Sequence, residues 1–173
     1  RKDPYAIDEA FPALSAGTTD AVIFNYLVAP FGAHDHAVGP AYAPMAARMK
    51  EAGTWAAIGL HPGYASSVTP GRISAEKQRL EAVVGAPVTR SRQHFLRMRV
   101  PATYRELQQA GITEDHSMGF SDRVGFRAGT CTPFPFFDLE EDRATGLVVH
   151  PFATMDSALS YKERRTPAEA LQR

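Results

Sequence analysis

A single cysteine, Cys131, stands in 173 residues. That excludes an internal disulfide and any zinc finger built on cysteines, and it leaves the redox compartment open. Nothing around Cys131 in the sequence would depress its pKa, so it is expected to be a small buried side chain rather than a nucleophile. An excess of either charge is also missing: 19 Lys and Arg balance 19 Asp and Glu. No long-range field therefore draws the chain to nucleic acid or to an anionic membrane surface. No apolar run approaches the roughly 18 residues of a bilayer-spanning helix, so no membrane insertion is expected. The opening R-K-D-P-Y-A-I-D-E has no apolar signal core, which favours the cytoplasm. Internal repeats and low-complexity segments are absent too. What is present is 44% hydrophobic, enough for one sizeable core over a length that suits a single domain, residues 1–173.

The pattern alternates between two periods. Residues 3–16 read as a helix, with Asp3 and Pro4 at its start and Ile7, Ala10, Phe11 and Leu14 on one face. Thr18, Thr19 and Asp20 then open A-V-I-F-N-Y-L-V, a continuous apolar run expected to be a strand buried on both faces. A loop rich in Gly, Pro and His follows, then a helix over residues 41–52 and a strand over 55–60. A helix over 74–84 has Ser74 as N-cap. A short strand at 87–91, a helix at 101–110 closed by Gly111, and a short strand at 112–115 come next. Residues 125–128 offer another strand. Phe134, Phe136 and Phe137, interrupted by Pro133 and Pro135, cannot form a regular helix. Residues 146–150 close with a strand, and the tail 162–173 has a helical pattern. Strands alternating with helices predict an α/β protein around a parallel sheet.

Residues 56–64, A-A-I-G-L-H-P-G-Y, organise the rest, because His61 stands where a buried strand breaks into a loop. Such strand ends share one crevice in α/β folds. His94 also follows a strand, beside Phe95 and between Arg92 and Arg97. The ordinary reading of those arginines is a solvated pair. Arg127, between Gly125 and Gly129, is either a donor for a carboxylate or oxyanion or a bridge to a buried acid. Asp115, directly after a strand, suits metal or general acid/base chemistry, although capping and salt-bridging are commoner. The run at 138–142 reads as a solvated loop, and the H-D-H of residues 34–36 is a weak metal signal. His150 sits at the last strand end, on the same candidate face.

Six stretches in order carry a resemblance: I-G-L-H-P-G-Y-A-S, E-K-Q-R-L-E, S-R-Q-H-F-L-R, A-G-I-T-E-D-H-S-M-G-F, G-F-R-A-G-T-C-T-P-F and H-P-F-A-T-M-D. Spread over residues 3–159, they resemble the polysaccharide deacetylase (NodB-homology) superfamily, and within it a bacterial polysaccharide deacetylase-like branch. The resemblance implies a distorted (β/α) barrel that removes acetyl groups from N-acetylated sugars of a polysaccharide. It also implies a divalent metal, commonly zinc, that polarises the amide carbonyl and activates a water.

Carried over residue by residue, the resemblance makes His61 a metal ligand, at the first histidine of the family's H-x-x-x-H motif. The second histidine falls on Ala65, which cannot bind metal, so His94 takes the place or the site is altered. Arg92 falls near the arginine of the third motif, and Arg127 belongs to the branch's own motif. Tyr64, Arg92 and Phe95 are then expected at the carbohydrate, and Asp115 and Arg127 in catalytic and positioning roles. The paired aspartates of the first motif should precede Asp3, and the closing leucine-x-histidine should lie beyond Arg173 unless residues 148–150 stand in for it. The barrel is therefore expected to be incomplete in this chain. Loss of the second motif histidine also keeps open a catalytically silent carbohydrate-binding module, and the fold's breadth keeps open a hydrolase of another C–N bond.

Overall fold

The structure, a computed structural model, describes residues 11–15, 22–162, 164 and 166–170. Most of the expected first helix lies outside these residues, as do Thr18, Thr19 and Asp20. Its described part, α1 (Phe11–Ser15), is helical. Of the tail, Ala158–Lys162 forms a π-helical turn and α5 (Pro167–Ala170) a single helical turn.

Among the described residues, six strands form one open, mostly parallel sheet. They are β1 (Ile23–Tyr26), β2 (Ala57–Leu60), β3 (Arg90–Ser91), β4 (Glu114–Asp115), β5 (Phe134–Asp138) and β6 (Arg143–Val149), in the spatial order β1-β2-β3-β4-β6-β5. Only β5 runs antiparallel, as a hairpin partner of β6. The α/β alternation is borne out, with α2 (Ala43–Ala52), α3 (Arg72–Val84) and α4 (Ala102–Gln109) joining successive strands.

Several expectations change for local reasons. The first strand is half-buried throughout rather than buried on both faces, because it lies at the edge of the sheet and pairs only with β2 among the described residues. Helix α3 starts earlier than expected, with Gly71 in the left-handed region (φ 76°) as its cap residue, so Ser74 lies inside the first turn. Residues 125–128 form no strand: Gly125 at φ 133° and Gly129 at φ 72° turn the chain instead. Cys131 is exposed, since it sits in that same turn-rich loop. The interrupted phenylalanines do form a strand, which tolerates Pro135 because β5 is an edge. The acidic run is only partly solvated. Asp138 is 1% exposed and grips Arg105 through two hydrogen bonds of 2.6 and 2.8 Å, which holds its carboxyl below the usual range.

Register divides the sheet into two faces. Leu60, Ser91, Asp115 and Val149 are partners across four strands, and so are Gly59, Arg90, Glu114 and Val148. Side chains alternate along a strand, so the two rows point to opposite sides. The first row faces the helices: Leu60, Leu147 and Val149 share one core with Met49 of α2, Ile73 and Leu80 of α3, and Tyr104 and Leu107 of α4. Each such aliphatic side chain, fully withdrawn from water, stabilises by about 2 kcal/mol. The second row faces away from that core.

Candidate functional site at the strand ends

The parallel ladder continues one residue beyond the strands. The backbone N–H of His61 donates to the Tyr26 carbonyl, that of Arg92 to Leu60, that of His116 to Ser91, and that of His150 to Asp115, at 2.8 to 2.9 Å. These four residues lie two positions after Gly59, Arg90, Glu114 and Val148, so they continue that row on the face away from the helices. Three imidazoles and a guanidinium thus line the C-terminal rim of four neighbouring strands. Gly59 packs closely beneath them, since a Cβ there would lie 2.2 Å from the Asn25 Oδ1 and would force that side chain to move.

At one end of the rim, His61 meets His94. The His61 Nδ1 contacts the Arg92 carbonyl at 2.5 Å. Its Nε2 lies 2.9 Å from the His94 Nδ1, and the His94 Nε2 lies 2.9 Å from the His34 carbonyl. A carbonyl only accepts, so both outer nitrogens must carry protons. If both rings are neutral, the two inner nitrogens then face each other with bare lone pairs. Two acceptors facing each other at this distance make the space between the rings a place for a cation. Burial, with the neighbouring His94 and Arg92 charges adding to it, pushes His61 down to about 4.

The surrounding loops hold this pair in place. Gly63 lets the loops after β1 and β2 meet, since a Cβ there would lie 2.5 Å from the Ala29 side chain. Its N–H donates to the buried Glu76 carboxylate at 2.8 Å. Asp35, 7% exposed, accepts from the Tyr64 N–H at 2.9 Å and lies 3.8 Å from the His94 Nε2, behind the pair rather than between its rings.

An aromatic group flanks the pair. The His34 ring lies 4.0 Å from Tyr64, and Tyr64 meets Phe95 edge to face at 5.7 Å. The Arg97 guanidinium covers the Tyr64 ring at 4.2 Å and donates to the Tyr64 carbonyl. Phe95 is 62% exposed and left-handed, at φ 58°, a conformation that costs an aromatic residue about 1–2 kcal/mol. Arg127, also exposed, lines a shallow cavity of about 260 Å³ with Phe95, Leu96, Phe120 and Lys162.

At the other end of the rim, Glu114 stands between two histidines. Its Oε2 is 3.7 Å from the His116 Nε2 and 3.6 Å from the His150 Nε2, and it accepts from Arg90 at 3.1 Å. The imidazole rings stack 4.5 Å apart at 22°. Burial, and after it the neighbouring His150, brings His116 down to about 4. Between the two ends, Arg92 donates to the His116 carbonyl at 3.0 Å and lies 4.0 Å over the Phe152 ring.

Of the residues singled out in the sequence, His61, His94, Tyr64 and Phe95 come together, with Arg92 beside them through its carbonyl and Arg127 lining the same cavity as Phe95. Asp115 does not join them. It lies on the helix face, 0% exposed, and accepts from the Ser91 hydroxyl at 2.8 Å and from the Ser117 hydroxyl and N–H at 2.9 and 3.0 Å. Burial raises its pKa against those bonds. Asp35, Glu114 and His116 were not singled out. The signal for the last two was the spacing E-x-H at a strand end, which puts both side chains on one face.

Fold and site together define an α/β protein with a histidine-lined rim at the C-terminal ends of a parallel sheet. No family model matches the chain, and no curated protein matches it either. Among the described residues no helix is long and apolar enough to cross a membrane.

Proposed function

We propose that the chain is a metal-dependent hydrolase-like domain of the polysaccharide deacetylase type, acting on N-acetylated sugars, and that its sheet belongs to a distorted (β/α) barrel of the NodB-homology kind. One observation carries the reading: the inner nitrogens of His61 and His94 face each other at 2.9 Å with both outer nitrogens committed to carbonyls. A divalent metal, zinc before others, fits that gap. Two nitrogens at the usual bond length of about 2.0–2.1 Å stand roughly 3.4 Å apart around a tetrahedral ion, about half an ångström more than the present spacing. Bound there, the metal would polarise an amide carbonyl and lower the pKa of a water.

The chain's own residues supply the rest. The Arg92 carbonyl fixes the His61 tautomer, and the His34 carbonyl does the same for His94. Tyr64 and Phe95 offer ring faces for the apolar side of a sugar, and Arg127 a planar donor at the edge of the same cavity. Among the described residues, no carboxylate oxygen joins His61 and His94 as a third donor. That departure favours a second reading, in which the same rings bind carbohydrate without hydrolysing it.

Acetate release from N-acetylglucosamine oligomers by zinc-loaded protein, lost in His61→Ala, selects the hydrolase. Oligomer binding that survives chelation and His61→Ala but not Phe95→Ala, with no acetate released, selects the binding module. Neither release nor binding overturns both.

A further inference from the structure

We infer that Glu114, His116 and His150 form a second cation site, suited to Zn(II) and separate from the His61–His94 pair. This inference stands whether or not the chain is a deacetylase. The three donors come from β4 and the end of β6, which are hydrogen-bonded neighbours. One donor atom from each lies within 4.8 Å of the other two. The carboxylate-to-imidazole separations of 3.6 and 3.7 Å are too long for hydrogen bonds. They match the spacing of ligands around a tetrahedral zinc, roughly 3.4 Å for bonds near 2.0–2.1 Å.

The buried His116 Nε2 lies 3.7 Å from the Glu114 Oε2 and has no hydrogen-bond partner. Buried polar atoms are nearly always satisfied, so an orphaned imidazole nitrogen facing a carboxylate and a second imidazole points to an ion. Ring stacking aligns the two histidines side by side. Arg90 occupies one lone pair of the Glu114 Oε2 and leaves the other, which makes it an orienting donor behind the ligand. Three protein ligands leave a fourth position open, and the part-exposed Glu114 and His150 leave a route from solvent to it. The site lies two strands along the rim from His61, roughly 10 Å at the usual strand spacing.

The experiment is calorimetric titration with zinc chloride of the full chain and of His61→Ala, alone and combined with Glu114→Gln or His150→Ala. His61→Ala should keep one tight zinc, and either second substitution should weaken it at least 100-fold. Titration of His61→Ala with Co(II) should give the intense visible bands of a four-coordinate ion, which Glu114→Gln removes while melting behaviour is kept. No zinc bound by His61→Ala, or zinc binding indifferent to Glu114→Gln and His150→Ala, overturns the inference. Neither result bears on acetate release. Loss of zinc at His61 alone would leave the second site standing.

Discussion

Glu114 and Asp115 are adjacent on a two-residue strand, yet they live in different chemistry. Asp115 faces the helices, is sealed from water and accepts from a serine on β3 and another two residues on. Glu114 faces the rim, stays part-exposed and holds two imidazoles and a guanidinium near one oxygen. A one-residue change of parity is the whole difference, because side chains of a strand alternate between faces. Acid residues at strand ends therefore cannot be ranked by sequence position alone. Their row decides whether they hold the sheet together or meet a ligand.

The largest expected effect tests that assignment directly. Asp115→Ala leaves the Ser91 hydroxyl and the Ser117 hydroxyl and N–H without their acceptor in a dry place, and should cost about 3 kcal/mol of unfolding free energy. Glu114→Gln, one residue earlier, should cost less than about 1 kcal/mol, since glutamine keeps an acceptor for the part-exposed Arg90 and the pair is screened by water. Denaturant unfolding measures both. Equal losses would break the contrast between the two faces.

The next effect is pH dependence, read in metal-free protein held in a chelator. His61 faces His94, Arg92 and Asp35, while His116 faces His150, Glu114, Arg90 and Arg92. Both are held at about 4 against an ordinary 6.5. Between those values the unfolded chain binds protons that the folded chain refuses, so stability falls as pH drops from about 7 to about 4 and then levels. At 1.36 kcal/mol per unit, discounted for partial exposure and for coupling within each pair, the loss is about 2 kcal/mol per histidine. His116→Asn should flatten its share of the slope. An unchanged slope would show that the two ends of the rim do not titrate as described.

Much of this architecture was legible beforehand, and the reason is physical. Apolar residues at helical spacing mark α2, α3 and α4, and the left-handed Gly85 and Gly111 close the last two, because burial of a helix face and a left-handed glycine leave strong local signals. His61 was legible as a strand-end residue because a short apolar run that breaks at His-Pro-Gly places it there, although a lone histidine is more often structural than a ligand. The rest depended on register. Strands β3 and β4 are two residues each, too short to show which parity faces the helices, so Asp115 drew attention and Glu114 and His116 did not. Asp35 was hidden for another reason. It sits in a loop, and only the close approach of Gly63 to Ala29 brings it behind His94.

The smallest effect concerns the rings beside the pair, where two neighbours again differ in what they face. Phe95 and Leu96 both adopt positive φ, 58° and 51°, but Phe95 is exposed while Leu96 is buried. Glycine relieves the left-handed strain at either position, by about 1–2 kcal/mol, and makes the unfolded chain freer by roughly 0.5–1 kcal/mol. At Leu96 a buried side chain is lost as well, so Leu96→Gly should destabilise by about 2 kcal/mol. At Phe95 little burial is lost, so Phe95→Gly should change stability by no more than about 0.5 kcal/mol while weakening oligosaccharide binding, measured by calorimetry, at least tenfold. A stability loss at Phe95 as large as that at Leu96 would assign the ring to holding the loop. A strained conformation maintained for a ring that contributes nothing to folding is what a ligand-facing role requires.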